Sequence, residues 1–191
     1  MASSRQPPAA FFLLLQLLLL PVEAAPSPPS AAAVVRTLCR ATLYRGLCSR
    51  CMSKLPPSVT RSPTKLAAAA VDLALGSAES ASSHLSSLSA AAAGKKTGAL
   101  QDCVENMRDC ADRLRESVLE LSQLGRPGSP RFGFRVGTVQ TWVSAALTDA
   151  DTCLEGLATA AVAAAAAKKV SRAMQMMSNA LVFVNNLTTK T

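Results

Sequence analysis

The segment Leu100–Leu121, LQDCVENMRDCADRLRESVLEL, decides the fold class. Leu100, Cys103, Met107, Cys110, Leu114 and Leu121 recur at helical spacing, and Leu124 extends the series. An α-helix advances about 100° per residue, so this spacing gathers the side chains into one apolar stripe. A strand alternates with period two and would scatter them over both faces. A helix with one apolar stripe must bury it against another element. Gly125-Arg126-Pro127-Gly128 stops the segment, since Gly and Pro both disfavour continuing a helix.

Three other segments carry the same period. After Ser62-Pro63, where proline suits a first helical turn, come Leu66, Ala70 and Leu73, then Ala81, Leu85 and Leu88; Gly94 closes this helix. TVQTWVSAALTDADTCLEGL (Thr138–Leu157) carries Val139, Val143, Ala146, Ala150, Cys153 and Leu157. The last carries Val170, Met174, Met177, Leu181 and Val184. No breaker marks the boundary within Ala158–Ala167. Ala, Leu and Ser dominate and β-branched alternation is almost absent. The expected fold is all-α: an up-and-down four-helix bundle over residues 62–190. Residues 34–61, with three cysteines and Pro56-Pro57, are too short to fold alone and are expected to form a helical hairpin appended to it.

The chain opens with Arg5, then an apolar run Phe11–Leu20, then Pro21-Val22-Glu23-Ala24-Ala25. This is the pattern of a secretory signal peptide, residues 1–24, cleaved after Ala24. The run is well short of the ~20 residues that span a bilayer, so no membrane association is expected after its removal. Residues 25–33, rich in Pro, Ser and Ala, read as a disordered leader. All six cysteines then enter an oxidising compartment where disulfides persist. Arg5 and Glu23 leave together, so the net charge stays at +8. That balance favours anionic surroundings, although it also serves solubility. Aromatics make up 4% of the chain, too few for a nucleic-acid stacking platform, and secretion argues against that partner.

Six cysteines allow fifteen pairings. Cys48-x-x-Cys51 lacks the second ligand pair of a zinc site, so neither metal nor cofactor is expected. His84 is the single histidine, set in SASSHLSSLS, and nothing marks a nucleophile or an orienting acid to work with it. There is no Gly-rich phosphate loop, HExxH or Gly-x-Ser-x-Gly elbow. A lipid-transfer protein would carry eight cysteines with adjacent and one-apart pairs, which this chain lacks. Trp142 and the methionines of the last helix read as core. With Cys103 as the inward reference, Asp102, Glu105, Asp109, Asp112 and Glu116 fall opposite the core. An acidic stripe on a basic protein suits a partner, though an ordinary solvated face has the same pattern.

Taken together, the signal, CRATLYRGLC, the helix around Cys103, TWVSAALT with DTC, and the closing MSNALVFVNNL resemble the plant invertase/pectin methylesterase inhibitor family. The resemblance runs from about Arg36 to Leu187. It implies a secreted, non-catalytic protein of the apoplast and cell wall that occludes the cleft of pectin methylesterase. It implies disulfides Cys39–Cys48 and Cys103–Cys153. Cys51 and Cys110 depart from the family pattern: a third bridge between them is open, but Cys110 sits seven residues, about 10 Å, along the helix from Cys103, which favours two separate thiols. The resemblance also implies partner contacts from Glu105, Asp109 and Asp112 after the first bundle cysteine, and from Thr152 and Glu155 beside the second. Glu155 replaces the family's more usual Asp.

Invertase inhibitors share the bundle and carry Pro-Lys-Phe in the connection before the third bundle helix. Here Pro130-Arg131-Phe132 takes that place, keeping charge but changing donor geometry. An acid invertase is therefore the alternative target. A non-inhibitory pectin-associated wall protein is a third reading, with demethylated pectin as the anion. The same bundle occurs as the leader of pectin methylesterase precursors, and a chain ending after the bundle favours a free inhibitor. Asn186-Leu187-Thr188 is a glycosylation sequon, expected inside the terminal helix.

Overall fold

The structure, a computed structural model, describes residues 30–92, 98–158 and 164–188. The signal peptide, Gly94 and much of the Ala158–Ala167 junction lie outside these residues. Three short helices come first: α1 (Ala31–Ala41), α2 (Arg45–Met52) and α3 (Pro57–Thr60). Four long ones follow: α4 (Pro63–Ala91), α5 (Gly98–Ser122), α6 (Pro130–Ala158) and α7 (Ala164–Asn185).

The helix starts carry their own chemistry. Ser30 Oγ accepts from the Ala33 N–H at 3.2 Å and so caps α1. Residues 31–33, expected in the disordered leader, are therefore the first turn of a helix. Ser62 Oγ accepts from the Lys65 N–H at 3.4 Å, with Pro63 in the first turn of α4. Ser129 Oγ accepts from the Phe132 N–H at 3.2 Å at the start of α6. Between α5 and α6 the chain reverses through Gly125 and Gly128, whose φ of 78° and 79° side chains rarely adopt.

The bundle forms a closed ring: α4 packs on α5 and α7, and α6 packs on α5 and α7. This is the neighbour order of an up-and-down bundle. Leu66, Leu85, Met107, Leu114, Val143, Leu157 and Phe183 fill its centre. α4 also buries Ala67, Ala70, Ala74, Ala78 and Ala81. Such small side chains let neighbouring helices approach closely, at the low end of the usual ~8–10 Å axis separation. α1 and α2 face each other and dock on α7.

Two disulfides staple this arrangement. Cys39–Cys48 joins α1 to α2 with Cα atoms 5.5 Å apart, and Cys103–Cys153 joins α5 to α6 at 4.3 Å. Cys51 and Cys110 are free, each touching a methionine: Cys51 Sγ lies 3.8 Å from Met176 Sδ and Cys110 Sγ 3.6 Å from Met177 Sδ.

Three further details differ from the sequence reading. Pro130-Arg131-Phe132 is the first turn of α6 rather than a connection, because Phe132 is buried and draws the chain into the helix. The inward side of α7 is Val170, Ala173, Met177, Ala180 and Val184, with Met176 and Phe183; Met174 and Leu181 are half-buried at its margin. α7 ends at Asn185, so Asn186 lies in the turn beyond it. Among the described residues, no helix is long and apolar enough to cross a membrane.

Candidate partner-binding face

The seam between α5 and α6 carries the disulfide, and the carboxylates gather around it. On α5, Asp102, Glu105, Asp109, Asp112 and Glu116 are all exposed while Cys103, Met107, Cys110 and Leu114 are buried. The helical period that buries one set forces the other outward. On α6, Thr152 and Glu155 flank the buried Cys153 and are exposed.

Beside the disulfide a groove of about 400 Å³ opens between the two helices. Asp102 and Asn106 line one wall and Thr152 and Glu155 the other, with Gly98 and Ala99 at its end. The Thr152 hydroxyl donates to the Thr148 carbonyl at 2.9 Å, which leaves its oxygen lone pairs to accept from a partner. Thr152 and Glu155 are thus brought together with Asp102 and Asn106. Glu105, Asp109 and Asp112 do not line the groove; they stand on the exposed ridge of α5.

The acidic ridge is not uniform. Asp112 accepts from Arg115, three residues on, and the same guanidinium donates to Glu79 of α4 at 2.9 Å. The hydrogen bond it donates to Glu79, then that to Asp112, raise the Arg115 pKa. Arg113 donates through Nε to Asp149 of α6 at 2.8 Å, and Arg135 of α6 lies 3.5 Å from Glu120. Those pairs tie α5 to its neighbours. Among the described residues Asp102, Glu105, Asp109, Glu116 and Glu155 enter no ion pair. Their charge is therefore available to a cationic surface.

Sequence reasoning did not place Asn106 or the Arg113–Asp149 clamp. Asn106 could have been found from its position one turn beyond Cys103 on the side of α5 that faces α6. The clamp spans 36 residues and has no local signature.

Other chemistry is sparse. His84 is half-buried on α4, and its Nε2 has no hydrogen-bond partner among the described residues. Cys48 is consumed in a disulfide, which removes the Cys48-x-x-Cys51 pair as thiolate ligands. No group of three His, Cys, Asp or Glu converges to hold a metal among the described residues. Burial, then Asp149, push the Cys110 thiol up to about 12, against a smaller lowering by Arg113. A thiol so placed is inert at physiological pH.

Comparison with known proteins accords with this architecture. Residues 33–183 match the plant invertase/pectin methylesterase inhibitor family. The chain is 34% identical over 155 residues to pectinesterase inhibitor 10 of Arabidopsis thaliana, covering 79% of this chain and about half (50%) of that protein's length. It is 31% identical over 162 residues to the 21 kDa protein of Daucus carota, covering 82% of this chain and 84% of the relative. Its fold is similar to a mutant form of a pectin methylesterase inhibitor from Arabidopsis, with a TM-score of 0.64 and 21% identity, covering 78% of this chain and 93% of that one. On these matches, and on its disulfide-stapled helical bundle, this chain belongs to the plant invertase/pectin methylesterase inhibitor family.

Proposed function

We propose that this protein is a secreted, non-catalytic inhibitor of pectin methylesterase, acting in the apoplast and cell wall. The α5/α6 face docks reversibly on the esterase and occludes its cleft, so methyl esters on pectin are removed more slowly. Glu105 and Asp109 on the ridge and Thr152 and Glu155 in the groove are the contact groups, with Asp112 held back by Arg115. The observation that carries this reading is the groove at Cys103–Cys153 lined by Asp102 and Glu155, beside a ridge where Glu105 and Asp109 are exposed and enter no ion pair among the described residues. Similarity to proteins named pectinesterase inhibitors supports the choice of enzyme.

The basic remainder retains the protein on demethylated pectin, which carries the opposite charge. No reaction by this chain is required.

An acid invertase is the second reading, motivated by Pro130-Arg131-Phe132. Phe132 is buried in α6 and only Arg131 of that pair is presented outward, which weakens a contact role for the tripeptide. A paired assay decides between the targets: one pectin methylesterase and one acid invertase, each titrated with the purified protein. Inhibition of the esterase alone is the expected result. Inhibition of the invertase alone transfers the face to the other enzyme, and inhibition of neither leaves a pectin-associated wall protein.

A further inference from the structure

Charge on this molecule is segregated. Residues 30–71 hold seven Lys or Arg and not one Asp or Glu. α7 adds Lys168, Lys169 and Arg172, again with no carboxylate. All ten cations are exposed. The ring order of the bundle puts the α4–α7 seam across from the acidic α5–α6 seam.

Where α2 meets the α4–α7 seam, a groove of about 380 Å³ opens. Cys51, Leu73 and Met176 supply apolar lining, while Ser77 and Ser80 of α4 and Lys169 and Arg172 of α7 supply polar groups. Lys169 Nζ donates to Ser80 Oγ at 3.3 Å, so the cation is already turned toward α4. Arg172 forms no ion pair among the described residues. Glu79, beside Ser80 in sequence, does not neutralise the groove, because it is turned to α5 and takes Arg115.

The geometry points to a uronate-binding groove at the α2/α4/α7 junction, in which a de-esterified polyuronate chain docks. A pyranose ring offers a C–H face for Leu73 and Met176 and hydroxyls for Ser77 and Ser80. Its carboxylate suits the ammonium of Lys169 and the planar donor fork of Arg172. A methyl ester lacks the charge, so the groove takes demethylated polymer in preference to the esterified form. This deepens the proposed retention on pectin and rests on that reading. It leaves the opposite, acidic face open to the enzyme.

The test titrates the full chain with a de-esterified oligogalacturonate and with its methyl-esterified counterpart, followed by NMR and calorimetry. The acid form is expected to bind, to move the amide signals of Ser77, Ser80 and Arg172, and to weaken with salt. The double variant Lys169→Ala/Arg172→Ala should lose at least about tenfold in affinity, which is ~1.4 kcal/mol. Its thermal melt and its esterase inhibition should not change. A control pair on α1, Arg36→Gln/Arg40→Gln, should lose less than about threefold, roughly half a decade of affinity. Equal binding of the acid and ester forms overturns the groove, as does undiminished binding by the Lys169/Arg172 variant. An equal loss in the α1 pair also overturns it, leaving diffuse charge attraction. Uronate binding by a protein that inhibits no esterase would refute the inhibitor reading while upholding the groove.

Discussion

Asn179 of α7 takes both backbone polar groups of Tyr44, 135 residues away. Its Nδ2 donates to the Tyr44 carbonyl at 3.1 Å, and the Tyr44 N–H donates to its Oδ1 at 3.3 Å. Tyr44 sits in the turn that opens α2, where its carbonyl also accepts from the Cys48 N–H at 2.9 Å but its own N–H has no helical partner. Asn179 is only 5% exposed, on an otherwise apolar side of α7. A buried amide is tolerated there because both its acceptor and its donor are matched. The pair fixes the N-terminal hairpin to the bundle.

Replacing that amide should therefore loosen the hairpin first. Asn179→Leu keeps the branched shape and strands the Tyr44 N–H, at a cost of roughly 1–3 kcal/mol, while the Tyr44 carbonyl keeps the Cys48 N–H. The expected result is a lower melting temperature together with faster amide exchange in α1 and α2, while α5 and α6 keep their protection. Uniform loss of protection across the whole chain would show that the contact supports the bundle rather than the hairpin.

The two disulfides should contribute unequally. Cys103 and Cys153 are separated by 50 residues and Cys39 and Cys48 by 9. In the chain-entropy account, loops of these lengths correspond to roughly 4 and 2.5 kcal/mol. Denaturant unfolding of the paired Cys→Ala variants should rank them in that order. The reverse ranking would mean that enthalpy or residual structure in the unfolded chain outweighs loop closure.

The two free thiols should differ sharply in reactivity. Cys110 is fully buried and its pKa is raised from 9.0 to about 12, whereas Cys51 is half-buried at the groove beside α7. Because folding raises the Cys110 pKa, the stabilisation of its neutral thiol is complete below pH 9 and lost as pH rises toward 12. Iodoacetamide near pH 8 should label Cys51 in the native protein and Cys110 only after denaturation. Equal native labelling would show that α5 opens locally without global unfolding.

On the acidic ridge, Asp109 should matter more than Asp112. Asp112 is paired with Arg115, so part of its field is already cancelled, while Asp109 enters no ion pair among the described residues. Changing both to Lys should weaken esterase inhibition by at least about tenfold, or ~1.4 kcal/mol. Asp109→Lys alone should account for most of that loss. Both positions are exposed, so the fold should survive, as a thermal melt would verify. A well-folded double variant with full inhibition would make the ridge an ordinary solvated face.

Helix identity was legible in the residues. The stripes through Cys103 and Cys153 and the Ser62-Pro63 start need only local periodicity and capping. The start of α6 was less legible: Gly133 and Gly137 dilute the pattern before Thr138, and it is the burial of Phe132 and Val136 against the bundle that makes the chain helical from Pro130. The same limit applies to the site. Outward carboxylates on α5 follow from the helical period, but the period cannot say which of them meet a cation.

The sequence by itself determined the four long helices, the inward stripes through Cys103 and Cys153 and the surplus of positive charge, because each depends on residues within a few turns of one another. Only the tertiary structure decided that Arg115 reaches Glu79 and relieves Asp112, that Asn179 holds Tyr44, and that cations of α7 meet serines of α4 beside Cys51. The Arg115–Glu79 and Asn179–Tyr44 relations join residues 36 and 135 positions apart. They exist only once helix packing has brought distant side chains within a few ångströms.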